Sequence, residues 1–176
     1  MLAIDGEIRG RTKLQKTVYF LGLLTGKLEA LGYQAHYYGP YSSEVAEAVS
    51  TLEAIGFASS SVASVGAFDP QGFEIRRTDY RLTEEGRRIA QVKAAHHAVL
   101  FEQLKRDAEL LKRAGDLDYV RLSIAAKAYF LLRQKNAPVS ERELPQLALT
   151  FGWAVSEQQI REAIDYLRKL NLSVPA

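Results

Sequence analysis

A chain of 176 residues, 47% apolar and 25% charged, suffices for one large or two small domains and buries a core without covalent staples. The absence of cysteine excludes a disulfide framework, a thiolate zinc site and a cysteine nucleophile. The net charge of +2 is spread thinly: Lys and Arg number 5 against 6 Asp and Glu over residues 1–58, 10 against 8 over 59–115, and 8 against 7 over 116–176, so no segment is a strongly basic module.

The N-terminus lacks the basic start and apolar run of a signal peptide. No stretch approaches the roughly 18 apolar residues of a membrane helix. A cytoplasmic protein without membrane contact is expected.

The first expected helix runs from Thr12 to Leu31. Thr12 and Gln15 have capping-box spacing, Leu14, Val18, Leu21, Leu24, Leu28 and Leu31 recur every three or four residues as one apolar stripe, and Gly32 closes it. Gly22 and Gly26 fall inside this span, where each costs about 1 kcal/mol relative to Ala; close packing against another backbone is the expected reason. Tyr33 to Tyr41 is a short extended link. Pro40 keeps Gly39 out of the helical region. Ser42 or Ser43 caps a second helix whose Val45, Val49, Leu52 and Ile55 point inward, against Leu14, Val18 and Leu21, and whose Gly56 ends it.

Residues 57–82 change texture. Serine, valine, glycine and aromatics alternate around a turn at Phe68-Asp69-Pro70-Gln71-Gly72, with Phe73, Ile75 and Tyr80 on the returning strand, which predicts a β-hairpin. A hairpin after a short helix reads as the wing of a winged helix. One long helix over Glu84–Ala114 follows, with Ile89, Val92, Leu100, Leu104 and Leu111 on its buried side. Gly115–Asp118 is the clearest boundary, dividing a winged-helix-like unit (1–115) from a C-terminal helical part (116–176) packed on it. There, a helix over Tyr119–Lys135 ends before Asn136-Ala137-Pro138. Two further helices start with capping boxes, Ser140 with Glu143 and Ser156 with Gln159, and staples, Val139 with Leu144 and Val155 with Ile160. Pro145, in the second turn of its helix, is expected to deform it. The turn Gly152-Trp153-Ala154-Val155 completes a helix-turn-helix-like pattern. The fold class is mainly α with a small β-hairpin.

No catalytic constellation is present. His96 and His97 project about 100° apart on a helix, so they cannot share a metal in the i, i+4 manner, and His36 stands alone. Phosphate-cradling and nucleophile-elbow glycine motifs are absent. Neither enzyme activity, cofactor nor metal is expected.

Two basic sets stand out. Arg9, Arg11, Lys13 and Lys16 surround the start of the first helix, where cations oppose the macrodipole; they are read either as solvated or as contacts to phosphate or an acidic partner. Arg76, Arg77 and Arg81 lie on the hairpin, as a solvated strand face or as contacts to a DNA groove or backbone. The second helix weighs against DNA. Between Ser42 and Ile55 it carries Glu44, Glu47 and Glu53 and no Lys or Arg, so near phosphates it gains repulsion without counterion release. Tyr33, Tyr37, Tyr38 and Tyr41 gather at the link, as core packing or as interface rings.

Arg11-Thr12-Lys13-Leu14-Gln15-Lys16 with Tyr19-Phe20, then Tyr38-Gly39-Pro40-Tyr41-Ser42 and Glu44-Val45, resembles the YwgA-like proteins, which look related to the Panacea domain that includes the SocA-type adaptor antitoxin. The likeness covers residues 7–58; Thr17 stands where the family has an apolar residue. It implies a protein that neutralises a toxin by direct binding. The expected function is therefore a non-catalytic protein-interaction module, an antitoxin-like regulator, whose partner is a toxin or a second copy. Arg11, Lys13, Lys16, Tyr38 and Tyr41 are the expected partner-binding residues. The alternative is a winged-helix transcriptional regulator touching duplex DNA through Arg9, Arg76, Arg77 and Arg81.

Overall fold

The computed structural model describes residues 1–68, 74–115, 118–134 and 139–172. Its elements are β1 (Glu7–Arg9), α1 (Arg11–Leu24), α2 (Ser43–Ala54), β2 (Ala58–Phe68), β3 (Glu74–Leu82), α3 (Glu84–His96), α4 (Ala98–Ala114), α5 (Tyr119–Gln134), α6 (Leu144–Leu149) and α7 (Glu157–Lys169), with 3-10 turns at Leu2–Ile4 and Leu28–Leu31. The chain is mainly helical with one small antiparallel sheet. Among the described residues, no helix is long and apolar enough to cross a membrane. Turn residues 69–72, Phe73, residues 116–117, Lys135 and the 136–138 link lie outside the described residues.

The first helix ends seven residues earlier than its leucine spacing predicts. Gly26 takes φ 66, Gly26 N–H donates to the Leu23 carbonyl and Lys27 N–H to that of Gly22. This is a Schellman stop, which satisfies carbonyls that a helix end leaves open. The chain then doubles back: a Cβ on Gly22 would lie 2.8 Å from Leu31 Cδ1 and 3.3 Å from Leu28 Cα. Close backbone packing at Gly22 is thus real, whereas Gly26 is the terminator rather than an internal residue. The N-terminal cap also differs. Gly10, which has no side chain to offer, is the N-cap, so Thr12 lies inside the first turn, and the Gln15 amide bonds Ser42 instead.

Ser42 caps α2, its hydroxyl accepting from Val45 N–H at 2.9 Å, and Gly56 (φ 76) with Phe57 repeats the Schellman stop on Glu53 and Leu52. Val45 and Val49 join Leu14 and Val18 in one apolar cluster; Ile55, expected inside, is exposed.

The expected hairpin is present. β2 and β3 pair from Ala58↔Leu82 to Ser64↔Arg76, with a register shift before Phe68↔Glu74. A third strand, β1, pairs with the other edge of β3 (Ile8↔Tyr80), giving the order β1-β3-β2. Three residues are too few to show alternation in the sequence. The helix expected over Glu84–Ala114 is two helices: His97 leaves the helical region (φ −122, ψ 45) between α3 and α4. Both halves pack on the 3-10 turn Leu2–Ile4; α3 also meets β3, and α4 also meets α1. Val92 and Leu100, expected on the buried side, are exposed.

In the C-terminal part, Ser156 and Gln159 form a complete capping box. Ser140 and Glu143 form half of one: the Glu143 carboxylate accepts from both Ser140 N–H and the Ser140 hydroxyl, and α6 starts only at Leu144. Pro145 therefore falls in the first turn, where its missing N–H is unused, and does not deform the helix.

Two apolar clusters result. The smaller holds Ile8, Leu14, Val45 and Tyr80 under the sheet. The larger gathers Tyr19 and Phe20 of α1 with Leu122, Leu131, Leu144, Trp153, Ile160, Ile164 and Leu167. α1 lies between them, which is why its polar Gln15, Lys16 and Thr17 are buried.

Candidate functional site

The link between α1 and α2 closes on itself. Gln34 and Tyr41 exchange two backbone hydrogen bonds at 2.9 Å, and Gly39 N–H donates to the His36 carbonyl at 2.9 Å. Gly39 sits at φ 95 with Lys127 against the place a Cβ would occupy, so the turn depends on glycine there. Tyr37 and Tyr38 form the tip. They are 72% and 61% exposed, and their rings meet edge to face at 4.8 Å.

Side chains from three parts of the fold hold this loop by its backbone. Trp153 Nε1 donates to the His36 carbonyl at 2.8 Å. The Ser123 hydroxyl donates to that of Tyr38. Lys16 Nζ donates to that of Pro40 at 2.6 Å, and the Gln15 amide donates to Ser42 O and accepts from Ser42 N–H. Below them Tyr33 donates to the Gln15 carbonyl at 2.6 Å, and Lys127 Nζ lies 5.5 Å from the centre of the Trp153 ring, a cation–π distance. These are backbone acceptors met by buried donors, the arrangement that fixes a loop most firmly.

The arrangement changes the meaning of Lys16. Only 2% exposed, it is not available to an incoming surface. Burial, and then the neighbouring Lys127, lowers its pKa to about 7. Burial lowers Lys127 as well. The other expected partner contacts spread apart. Arg11 remains exposed and reaches the Tyr80 hydroxyl at 3.4 Å. That hydroxyl, first by its hydrogen bond and then by its charge, raises the Arg11 pKa, with Tyr41 and Glu53 adding to it. Lys13 faces elsewhere, lining with Arg9, Ile8, Leu111 and Tyr166 a cavity of about 340 Å³ between β1 and α4. Of the five, Arg11 and Tyr41 come together, Tyr38 stands at the tip, and Lys13 and Lys16 part company although only three residues separate them.

The arginines expected to meet DNA divide by strand alternation. Arg77 and Arg81 share the outer sheet face with Arg9 and Glu7, while Arg76 points to the opposite face. Arg77 is bidentate to Asp79 at 2.6 and 2.9 Å, and this hydrogen-bonded pairing holds the Asp79 carboxyl below its usual range. Arg9 pairs with Glu7 at 3.2 Å. On α2, Glu44 is exposed and takes hydroxyl hydrogen bonds from Ser42 and Ser43. His36 contributes its carbonyl to the clamp and its ring to Tyr41, 5.0 Å away.

Among the described residues, no cluster of three His, Asp or Glu has metal-binding geometry. Comparison with models of known protein families gives no match, and a search of curated proteins gives none. Sequence reasoning passed over Gln15, Ser123, Lys127 and Trp153 as site residues. The available signals were two polar residues placed inside an apolar-periodic helix and the chain's one tryptophan.

Proposed function

We propose that the protein is a non-catalytic protein-interaction module that presents the Tyr37–Tyr38 loop to a protein partner, in the manner of an antitoxin-like regulator. The observation that carries this reading is the loop's construction: two large exposed rings on a backbone held from α1, α5 and the α6–α7 link. A pre-formed loop avoids much of the ordering loss that association otherwise imposes. Tyrosine, with wide apolar area and a polar tip, is a frequent anchor in interface centres. Exposed Arg11 beside Tyr41 adds a cation at the rim.

The chain order β1-α1-α2-β2-β3, with β1 beside β3, supports a winged-helix reading of residues 1–115, in which α2 takes the place of the groove-reading helix. The α6–α7 pair supports a helix-turn-helix-like reading of 116–176. The alternative, a DNA-binding regulator, draws on Arg9, Arg77 and Arg81 on one sheet face. It is weakened by the carboxylates already paired with Arg9 and Arg77 and by the acidic α2.

The test is co-expression with the product of the adjacent reading frame, followed by co-purification. A stoichiometric complex should form with the natural chain and be lost in the Tyr37→Ala, Tyr38→Ala double variant, whose melting temperature stays unchanged because both rings are exposed. A complex that survives the double substitution places the interface elsewhere. Tight, sequence-selective duplex binding instead favours the regulator.

A further inference from the structure

Among the described strands, one open edge of the sheet lacks charge. The edge of β1 presents Glu7 and Arg9, and β3, beyond the stretch that β1 covers, presents Glu74, Arg76 and Arg77. β2 holds no Asp, Glu, Lys, Arg or Pro from Ala58 to Phe68. Natural sheets blunt open edges with such residues, because a row of free N–H and C=O groups is a template for another strand. Backbone bonds show which groups of β2 are free. Leu82 N–H donates to the Gly6 carbonyl and Gly10 N–H to that of Thr78, whereas Thr83 N–H donates to that of Phe57. β3 therefore turns its even-numbered residues to β1 and its odd-numbered ones to β2. Ser59, Ser61 and Ala63 answer Arg81, Asp79 and Arg77, and the even-numbered residues of β2 turn their N–H and C=O groups outward. Ala58 is buried, and the register shift after Ser64 ends the regular ladder. The usable edge is Ser60–Ser64, where Ser60, Val62 and Ser64 are exposed. Val62, at its midpoint, is 65% exposed.

We infer that this edge pairs with the same edge of a second copy, antiparallel and centred on Val62, joining two three-stranded sheets into one of six strands. The register follows from the window. A two-fold axis at its midpoint sets Val62 against Val62 and Ser60 against Ser64, with about six N–H···O bonds. The cross-strand pair covers the two exposed valines. The short Ser and Ala side chains beside them form no pockets, which a foreign strand would need for recognition. Charge also fits. Each Asp79–Ser61 row continues into the Ala63–Arg77 row of the other copy, so opposite charges stand about 14 Å apart on one face. Five residues a side bury too little for an obligate dimer, so the pair is reversible. The Tyr37–Tyr38 loop takes no part, and the two readings fail independently.

Sedimentation equilibrium of the whole chain over about 1–500 μM should show monomer passing to dimer, with a dissociation constant of about 100 μM or tighter. Val62→Lys brings two ammonium groups together at the centre, and Val62→Pro removes an N–H that β3 does not use. Each should weaken association by about tenfold or more and leave the melting temperature nearly unchanged. If Val62→Pro fails to fold, Val62→Lys decides alone. The natural chain has no cysteine, so single cysteine variants test the register. Val62→Cys places two Cα atoms about 5.5 Å apart, within disulfide reach, and mild oxidation should give a covalent dimer. Ser60→Cys lies about 14 Å from its own copy and should not cross-link. A chain monomeric throughout overturns the inference, even one that binds an unrelated extended peptide. So does a dimer undiminished by Val62→Lys, or equal cross-linking of the two cysteine variants.

Discussion

Lys16 allows the loop clamp to be tested through thermodynamics. Its pKa falls from an ordinary 10.5 to about 7, chiefly through burial and then through Lys127. An unfolded chain would titrate near the ordinary value. Between these limits the unfolded state binds more protons than the folded one, so stability rises with pH. The penalty for burying the charged lysine is full below about pH 7, relieved progressively above it, and gone above about pH 10.5. At one proton the slope approaches about 1.4 kcal/mol per pH unit, and integration from about pH 7 to 9.5 gives about 3 kcal/mol. Lys127 and the N-terminal amine, both lowered by burial, add slope of the same sign. Tyr19 and Tyr33, both raised by burial, act in the opposite sense only above about pH 10, which sets the upper end of the range.

The decisive comparison is the natural chain against Lys16→Met, unfolded in urea at several pH values and followed by Trp153 fluorescence. Methionine keeps the aliphatic stem, loses the ammonium and leaves the Pro40 carbonyl without its donor, an unsatisfied-acceptor cost of about 1–3 kcal/mol that does not vary with pH. The variant's stability should climb less steeply with pH than that of the natural chain by about 1.4 kcal/mol per unit between pH 7.5 and 9.5. Equal slopes would mean that Lys16 titrates normally and is not sealed under the loop.

Three further outcomes follow from the geometry. Gly86→Ala would place a Cβ 1.7 Å from the Phe57 carbonyl oxygen and should destabilise by about 3 kcal/mol or more, seen as a large fall in denaturation midpoint. Trp153→Phe keeps the apolar bulk but loses the donor to the His36 carbonyl and weakens the Lys127 contact; it should cost about 2–3 kcal/mol and speed amide exchange at Gly39 and Tyr41. Duplex DNA binding, measured by anisotropy, should be weak, salt-sensitive and indifferent to sequence. Arg77→Ala should barely alter it, because Asp79 already holds that guanidinium, whereas Arg81→Ala should reduce the salt slope by about 0.9 if Arg81 meets a phosphate.

Sequence periodicity located most helices, the hairpin and the caps at Ser42 and Ser156, because these depend on local spacing and local hydrogen bonds. It failed where tertiary contacts decide. Leucine spacing runs unbroken across Gly26, yet a glycine at positive φ with two short backbone bonds ends α1 there. Nothing local marks His97, where neither glycine nor proline interrupts the pattern although the backbone leaves the helical region there. β1 alternates, with Ile8 inside and Glu7 and Arg9 outside, but three residues are too few to mark a strand in the sequence. At the candidate site, the tyrosine cluster was legible, but the direction of the cations was not. A single apolar stripe predicts a one-sided helix with solvated lysines. α1 is buried on several sides, so Lys13 and Lys16 go to different surroundings, one in a cavity wall and the other under the loop.

That placement separates what holds the loop from what the loop displays. Gln15 and Lys16 of the Lys13-Leu14-Gln15-Lys16 string meet Ser42 and Pro40 of the Tyr38–Ser42 string through backbone atoms. Backbone acceptors are indifferent to the side chains around them, so the two strings together specify a loop shape. A partner, by contrast, would touch Tyr37, Tyr38 and Arg11. Tyr37 lies outside both strings, and Tyr38 contributes its carbonyl to the clamp and its ring to solvent. On this reasoning, the two strings hold the scaffold of this chain, and the rings it displays can change without disturbing that scaffold. That is the division expected of modules that meet varied partners: specificity lies in a few exposed anchors, and the buried clamp keeps them from collapsing. Exchanging Tyr37 and Tyr38 for other large side chains should therefore alter partner choice without altering stability, whereas substituting Gln15 by Ala should lower stability by about 1–3 kcal/mol, by stranding the buried Ser42 N–H and carbonyl.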